Sequence, residues 1–154
     1  MRIRVTPAAV AIFGLLAAAG LPVSADGTSD STSASSATAP SYAVAKASVD
    51  GGNYASALPM LVAITTADAT NADAWNLLGF TYRNLNQLDA SNAAYLKVLT
   101  INPNHLGALE YQGELFIAQG KIAAAKANFA KLQGLCGSCE EAVDLEKALK
   151  AAGA

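Results

Sequence analysis

Histidine, cysteine and tryptophan are almost missing from this chain: His105, Cys136, Cys139 and Trp75 are the whole supply in 154 residues. With a single histidine there is no Ser/His/Asp grouping in a supporting motif. No glycine-rich phosphate loop and no cluster of metal ligands is present either. An enzyme is therefore not expected, and no cofactor or metal is implied. Clustered positive charge is lacking too, with 10 Lys and Arg against 12 Asp and Glu and no basic run. Phosphate neutralisation supplies most of the affinity for nucleic acid, so nucleic acid is a poor candidate partner. No alternating strand pattern is visible.

Long apolar runs are short of membrane-spanning length. The most apolar stretch, Val10 to Leu21, falls well below the ~20 residues that a spanning helix needs. Before it stand Arg2 and Arg4, and after it Val23, Ser24 and Ala25. A basic start, a short apolar core and small residues at positions −3 and −1 describe an export signal cut after Ala25, so residues 1–25 are expected to be removed. No stable membrane insertion is expected thereafter, and the mature chain should be periplasmic or secreted. Loss of Arg2 and Arg4 leaves 8 cationic against 12 acidic side chains, a net charge of −4. Residues 26–40 contain nothing larger than threonine apart from aspartate and proline. Such a segment cannot offset its ordering entropy by burial, and it reads as a disordered tether rich in Ser, Thr and Ala.

What is present is periodicity. Trp75, Leu78, Gly79 and Tyr82 fall at i, i+3, i+4 and i+7, one stripe of an α-helix. After Asn84–Asn86 a second stripe follows through Leu88, Ala94 or Tyr95, Val98, Leu99 and Ile101. Two short amphipathic helices joined by a tight turn cannot bury their apolar faces alone and need stacked neighbours. The spacing W-x2-L-G-x2-Y, followed by Tyr95 and Pro103, resembles the tetratricopeptide repeat over residues 72–105. That family stacks helix–turn–helix units of 34 residues. One period on, Gly79 maps to Gly113, Tyr82 to Phe116, Asn86 to Gly120 and Tyr95 to Phe129. One period back, Gly79 maps to Ala45, Asn86 to Gly52 and Tyr95 to Leu61. Departures fall at Ser41 and Ser48, opposite Trp75 and Tyr82, and make the first repeat weak in its first helix.

The resemblance implies an all-α fold, an α-solenoid of three repeats over about 38–71, 72–105 and 106–139 within a domain spanning 41–151. A capping helix follows over about 139–150. Helices are expected over Tyr42–Asp50 and Tyr54–Ala67, with Pro59 early in the second. Asn53, Asn71 and Asn104 stand where caps belong, and Ser138 with Glu141 has the spacing of a capping box. Trp75 reads as a wedge between helices, and His105 as a residue at the solvent edge beside a turn.

Cys136-Gly137-Ser138-Cys139 is the one chemically pointed motif. The leading reading is a disulfide in an oxidising compartment. A thiol–disulfide couple with Cys139 at a helix N-terminus, or a pair of soft thiolates for copper(I), makes the alternative function a thiol- or metal-handling protein. Covalent haem fails, since Glu140 stands where histidine is required. The layout of three repeats with C-x-x-C before a capping helix is similar to a recurrent type of small secreted bacterial tetratricopeptide protein.

The family's first helices line a groove that holds an extended peptide or a helix. By column, the resemblance places groove positions at Tyr42, Lys46 and Asp50, at Asp73, Asn76, Phe80 and Arg83, and at Glu110, Glu114 and Ile117. The implied function is a non-catalytic interaction scaffold with a protein or peptide partner. Mixed charge around Phe80 suggests a polar peptide with one apolar anchor, not the carboxylate-clamped terminus that some relatives hold.

Overall fold

Every apolar stripe read from the sequence becomes a helix. The computed structural model describes residues 41–154. The export segment and tether expected over residues 1–40 lie outside the described residues. Among those residues there are seven α-helices and no strand: α1 (Tyr42–Asp50), α2 (Tyr54–Ala67), α3 (Ala72–Asn84), α4 (Leu88–Ile101), α5 (Leu106–Ala118), α6 (Ile122–Cys136) and α7 (Glu140–Ala151). Successive first helices α3, α5 and α7 begin at 72, 106 and 140, and second helices α2, α4 and α6 at 54, 88 and 122, each a step of 34. The fold is an all-α solenoid, and α7 stands in the register of a fourth first helix.

The turn inside each hairpin is set by one column. Gly52, Asn86 and Gly120 have φ of 73°, 58° and 71°, a left-handed conformation that glycine takes freely and asparagine tolerates. At Asn86 the reversal lets the Gln87 amide donate to the Tyr82 carbonyl at 2.8 Å, and the Asn86 amide to that of Arg83 at 2.9 Å. These bonds satisfy carbonyls that the end of α3 would otherwise leave open.

Three apolar clusters follow one another along the stack. Ala45, Val49, Ala57, Leu61 and Leu78 form the first, and Tyr95, Val98, Ala108 and Leu115 the central one. Leu109, Ala125, Leu132, Ala142, Leu145 and Leu149 form the third. Each draws on neighbouring hairpins, as a unit that cannot bury its own face requires. Glycines permit the closest approaches. A Cβ at Gly79 would lie 2.6 Å from the Tyr95 ring, and one at Gly113 2.5 Å from Leu145 Cδ2. The buried Ser91 hydroxyl donates to the Gly79 carbonyl at 2.8 Å, tying α3 to α4. Trp75 is a wedge as expected. Its ring packs on both the first and the central cluster, and its indole N–H donates to the Ala69 carbonyl at 3.1 Å.

Helix starts differ from expectation at three places. Asn71 caps α3 by accepting from the Ala74 amide at 2.9 Å, but Asn53 precedes α2 without a side-chain cap bond. Asn104 is not the cap of α5. His105 takes that position, its Nδ1 accepting from the Ala108 amide at 3.1 Å, while the Asn104 amide is held by the Asn102 side chain at 3.0 Å. His105 is thus no solvent-edge residue. With Nδ1 accepting, its Nε2–H faces Asp73 Oδ1 at 3.0 Å, and its side chain is 14% exposed. The Ser138–Glu141 capping box does not form. Gly137 (φ 69°) turns the chain so that Cys139 is the last residue before α7, which moves the N-cap one residue past Ser138 and breaks the spacing.

Candidate functional site

The period of 34 aligns one residue from each first helix in a single row: Tyr42, Asn76, Glu110 and Asp144. Along this row run two depressions that share Asn76 and Tyr111. The first, of about 370 Å³, lies against α1 and α3. It is lined by Tyr42, Lys46, Asp50, Asp73, Asn76 and Phe80, together with Val49, Tyr54, Leu77 and Tyr111. The second, of about 230 Å³, lies between α5 and α7 and is lined by Asn76, Gly107, Glu110, Tyr111, Glu140, Glu141 and Asp144.

Aromatic rings build the floor of the first depression. Phe80 meets Tyr54 edge-on at 6.1 Å and Tyr111 at 5.0 Å between centroids. The Arg83 guanidinium carbon sits 5.4 Å from the Phe80 centroid and 5.6 Å from that of Tyr111, within cation–π range. Arg83 also pairs with Glu114, joining α3 to α5 across the row. Lys46 pairs with Asp50 at 2.7 Å on the exposed rim. Burial, then the negative charge of Asp73, pushes the Tyr42 phenol up, so Tyr42 stays a neutral donor at physiological pH.

Among the described residues no cation lines the second depression. Glu110 is only 9% exposed, and its carboxyl is pushed up to about 8, first by burial and then by Glu114, Asp144 and Glu141, with Arg83 opposing. Burial also raises the Tyr111 phenol, reinforced by Glu110 and Glu114. Where the two depressions meet, Asn76 Oδ1 is inaccessible and has no hydrogen-bond partner among the described residues. Among those residues no group of three or more His, Cys, Asp or Glu is placed to hold a metal ion.

Of the ten groove residues read from the sequence, Tyr42, Lys46, Asp50, Asp73, Asn76 and Phe80 share the first depression. Glu110 lines the second, and Arg83 with Glu114 bridges the helices between them. Ile117 lies elsewhere, packed on the third core cluster. Sequence reasoning missed Tyr54, Tyr111, Glu140, Glu141 and Asp144. The last three were findable by adding 34 to the start of α5, which places 140 at the head of another first helix.

The two sulfurs of Cys136 and Cys139 lie 2.06 Å apart, with Cα atoms separated by 5.6 Å. Both residues pack on the third cluster, where the pair closes the turn between α6 and α7.

Residues 72–105 match the family model described as tetratricopeptide repeat. Solved structures share the fold. MamA from Desulfovibrio magneticus RS-1 is 26% identical, with 61% of this chain and 53% of that one covered at a TM-score of 0.59. This chain therefore spans about half the length of that protein. The type III secretion translocator chaperone SycD of Yersinia enterocolitica is 18% identical over 73% of this chain and 88% of that one, with a TM-score of 0.66. The first TPR of Spaghetti (RPAP3), solved bound to the HSP90 peptide SRMEEVD, is 19% identical over 71% and 88%, with a TM-score of 0.63. No curated protein matches the chain.

Proposed function

We propose that this tetratricopeptide-type solenoid is a non-catalytic scaffold that holds an extended segment of a partner protein along the row Tyr42, Asn76, Glu110 and Asp144. One observation carries the reading: the two depressions share Asn76 and Tyr111, so an aromatic and an acidic surface meet along one row of first-helix residues. Phe80, between Tyr54 and Tyr111, offers a flat apolar seat for one side chain of that segment. The peptide-bound relative of the same fold supports the mode of binding, not the identity of the ligand.

The work is done outside the cytoplasm, a reading supported by the sequence pattern of a basic start, a short apolar core and small residues up to Ala25. In that compartment Cys136 and Cys139 form a structural disulfide that fixes the start of α7 and with it the far wall of the groove. Thiol titration of the purified protein, with and without mild reductant, tests that assignment. A pair reduced readily and without effect on α7 would favour the thiol-handling alternative. The groove is tested by affinity capture from an extracytoplasmic extract, comparing wild type with Phe80→Ala/Arg83→Ala at equal helix content by circular dichroism. A partner kept by wild type and lost by the double variant is expected, and equal recovery of every partner would remove the reading.

A further inference from the structure

The acidic depression between α5 and α7 has a more specific use, which rests on the groove reading above. We propose that it receives a cationic side chain, the ammonium of lysine or the guanidinium of arginine, carried by the segment that lies along the groove. Two observations lead there. Glu110, Glu140, Glu141 and Asp144 line the depression, and among the described residues no lysine or arginine does. Glu110 is nine-tenths buried, and its carboxyl has neither hydrogen-bond nor ion-pair partner among the described residues.

A buried carboxyl without a donor is expensive unless it is protonated or paired. Here Arg83, the nearest cation acting on Glu110, is already engaged by Glu114. In the free protein burial and then Glu114, Asp144 and Glu141 push the Glu110 carboxyl up to about 8, so a proton lowers that cost. A bound ammonium would meet it with a charge-assisted hydrogen bond instead. The remaining carboxylates favour any incoming positive charge and disfavour an acidic segment. The aromatic seat and the cation site adjoin at Asn76 and Tyr111, and that adjacency sets the ligand pattern. An apolar residue at Phe80 is followed by a basic residue at Glu110.

The groups facing Glu110 are Tyr111 and Glu114 on its own helix, Glu141 and Asp144 from α7, and Arg83 from α3. Lysine keeps its proton up to about pH 10, so only the Glu110 carboxyl must change state for the pair to form. Binding therefore releases a proton below pH 8 and should tighten as pH rises towards 8.

Fluorescence anisotropy on the purified chain tests this with two labelled dodecapeptides in a Ser/Ala background, each with one leucine. They differ only in carrying lysines or glutamates. Wild type should bind the lysine peptide at least about tenfold more tightly than the glutamate peptide, with affinity rising by about tenfold between pH 6.5 and 8.5. Glu110→Gln keeps the shape of the wall and should lose about tenfold in affinity for the lysine peptide and all of its pH dependence. Asp144→Asn, at the edge, should lose less. Equal binding of the two peptides, or of neither, overturns the inference, as does unchanged affinity in Glu110→Gln. A lysine peptide lost by Phe80→Ala but kept by Glu110→Gln refutes the cation site and leaves the groove standing. If unlabelled spermidine displaces the label as well as unlabelled lysine peptide does, the site reads free amines and the assignment to a peptide is overturned.

Discussion

The two halves of the groove are built on one repeating backbone and present opposite chemistry. Against α1 and α3 the surface is aromatic and nearly balanced in charge, with Lys46 beside Asp50 and Arg83 stacked near Phe80 and Tyr111. Between α5 and α7 it is acidic, with no cation among the described residues that line it. Position for position the same row supplies Tyr42, Asn76, Glu110 and Asp144. The difference teaches that the period fixes where a side chain stands, while the residue chosen there decides what it recognises. A ligand laid along the row therefore has a direction, since reversing it would set its apolar and charged groups against the wrong walls.

The largest expected effect concerns the wall itself. Leu145 is fully buried and seats α7 on Gly113. Leu145→Ala should cost about 3 kcal/mol by loss of burial and the cavity left behind. A quasi-one-dimensional stack confines such damage to its neighbours. Hydrogen exchange should therefore speed up in α5, α6 and α7 while α3 and α4 keep their protection. Equal loss of protection throughout would show that the two halves are one cooperative unit and the comparison is false. Phe80→Ala comes next. Removing a half-buried ring from between two others should cost about 2 kcal/mol and abolish binding of the leucine-bearing peptides of either charge, since both halves need an anchored ligand. Thermal melts and the same anisotropy titration read both outcomes.

Glu110→Gln separates the halves by pH. The Glu110 carboxyl is raised from an ordinary value of 4.5 to about 8 in the folded chain. The folded protein thus binds more protons than the unfolded one across that window, and stability is lost as pH rises from 4.5 towards 8. Discounted for water that reaches the depression, the loss is about 2 kcal/mol. Glu110→Gln should remove most of that slope and melt higher than wild type at pH 8. Parallel melting curves against pH for the two proteins would sink this account of Glu110.

Much of the aromatic half was legible in the sequence, and little of the acidic half. Trp75, Leu78, Gly79 and Tyr82 announce a helix by spacing alone, and stepping by 34 carries the same helix to α5. The reading stopped at Cys136–Cys139, because a cysteine pair and a capping-box spacing there look like the end of an array. A capping helix over about 139–150 gives no reason to place its charged side chains in the groove. Glu141 and Asp144 are instead in step with Gly107 and Glu110, so they face the groove. Tyr54 and Tyr111 were missed for a different reason: they reach the first depression from outside the expected groove columns. Ile117 shares a column with Arg83, yet an aliphatic side chain gains more by turning to the third cluster than by standing in water. The role of His105 depends on Asp73, which lies 32 residues away and cannot be seen from local spacing.

The smallest expected effect sharpens the comparison most. Among the described residues Lys46 is the only lysine lining either depression, and its pairing with Asp50 is an exposed contact between residues four apart. Such contacts add little to stability, so Lys46→Glu should leave the melting temperature within error. It would, however, make the aromatic half acidic as well. If direction comes from the contrast between halves, the variant should bind the lysine peptide about two- to threefold more tightly at low salt, and the gain should fade as added salt screens the rim. The same variant should also discriminate less between two peptides that carry the leucine before or after the lysines, because a cation now finds acid at either end. Undiminished discrimination would mean that Glu110 alone sets the direction, with the charge balance around Phe80 irrelevant to it.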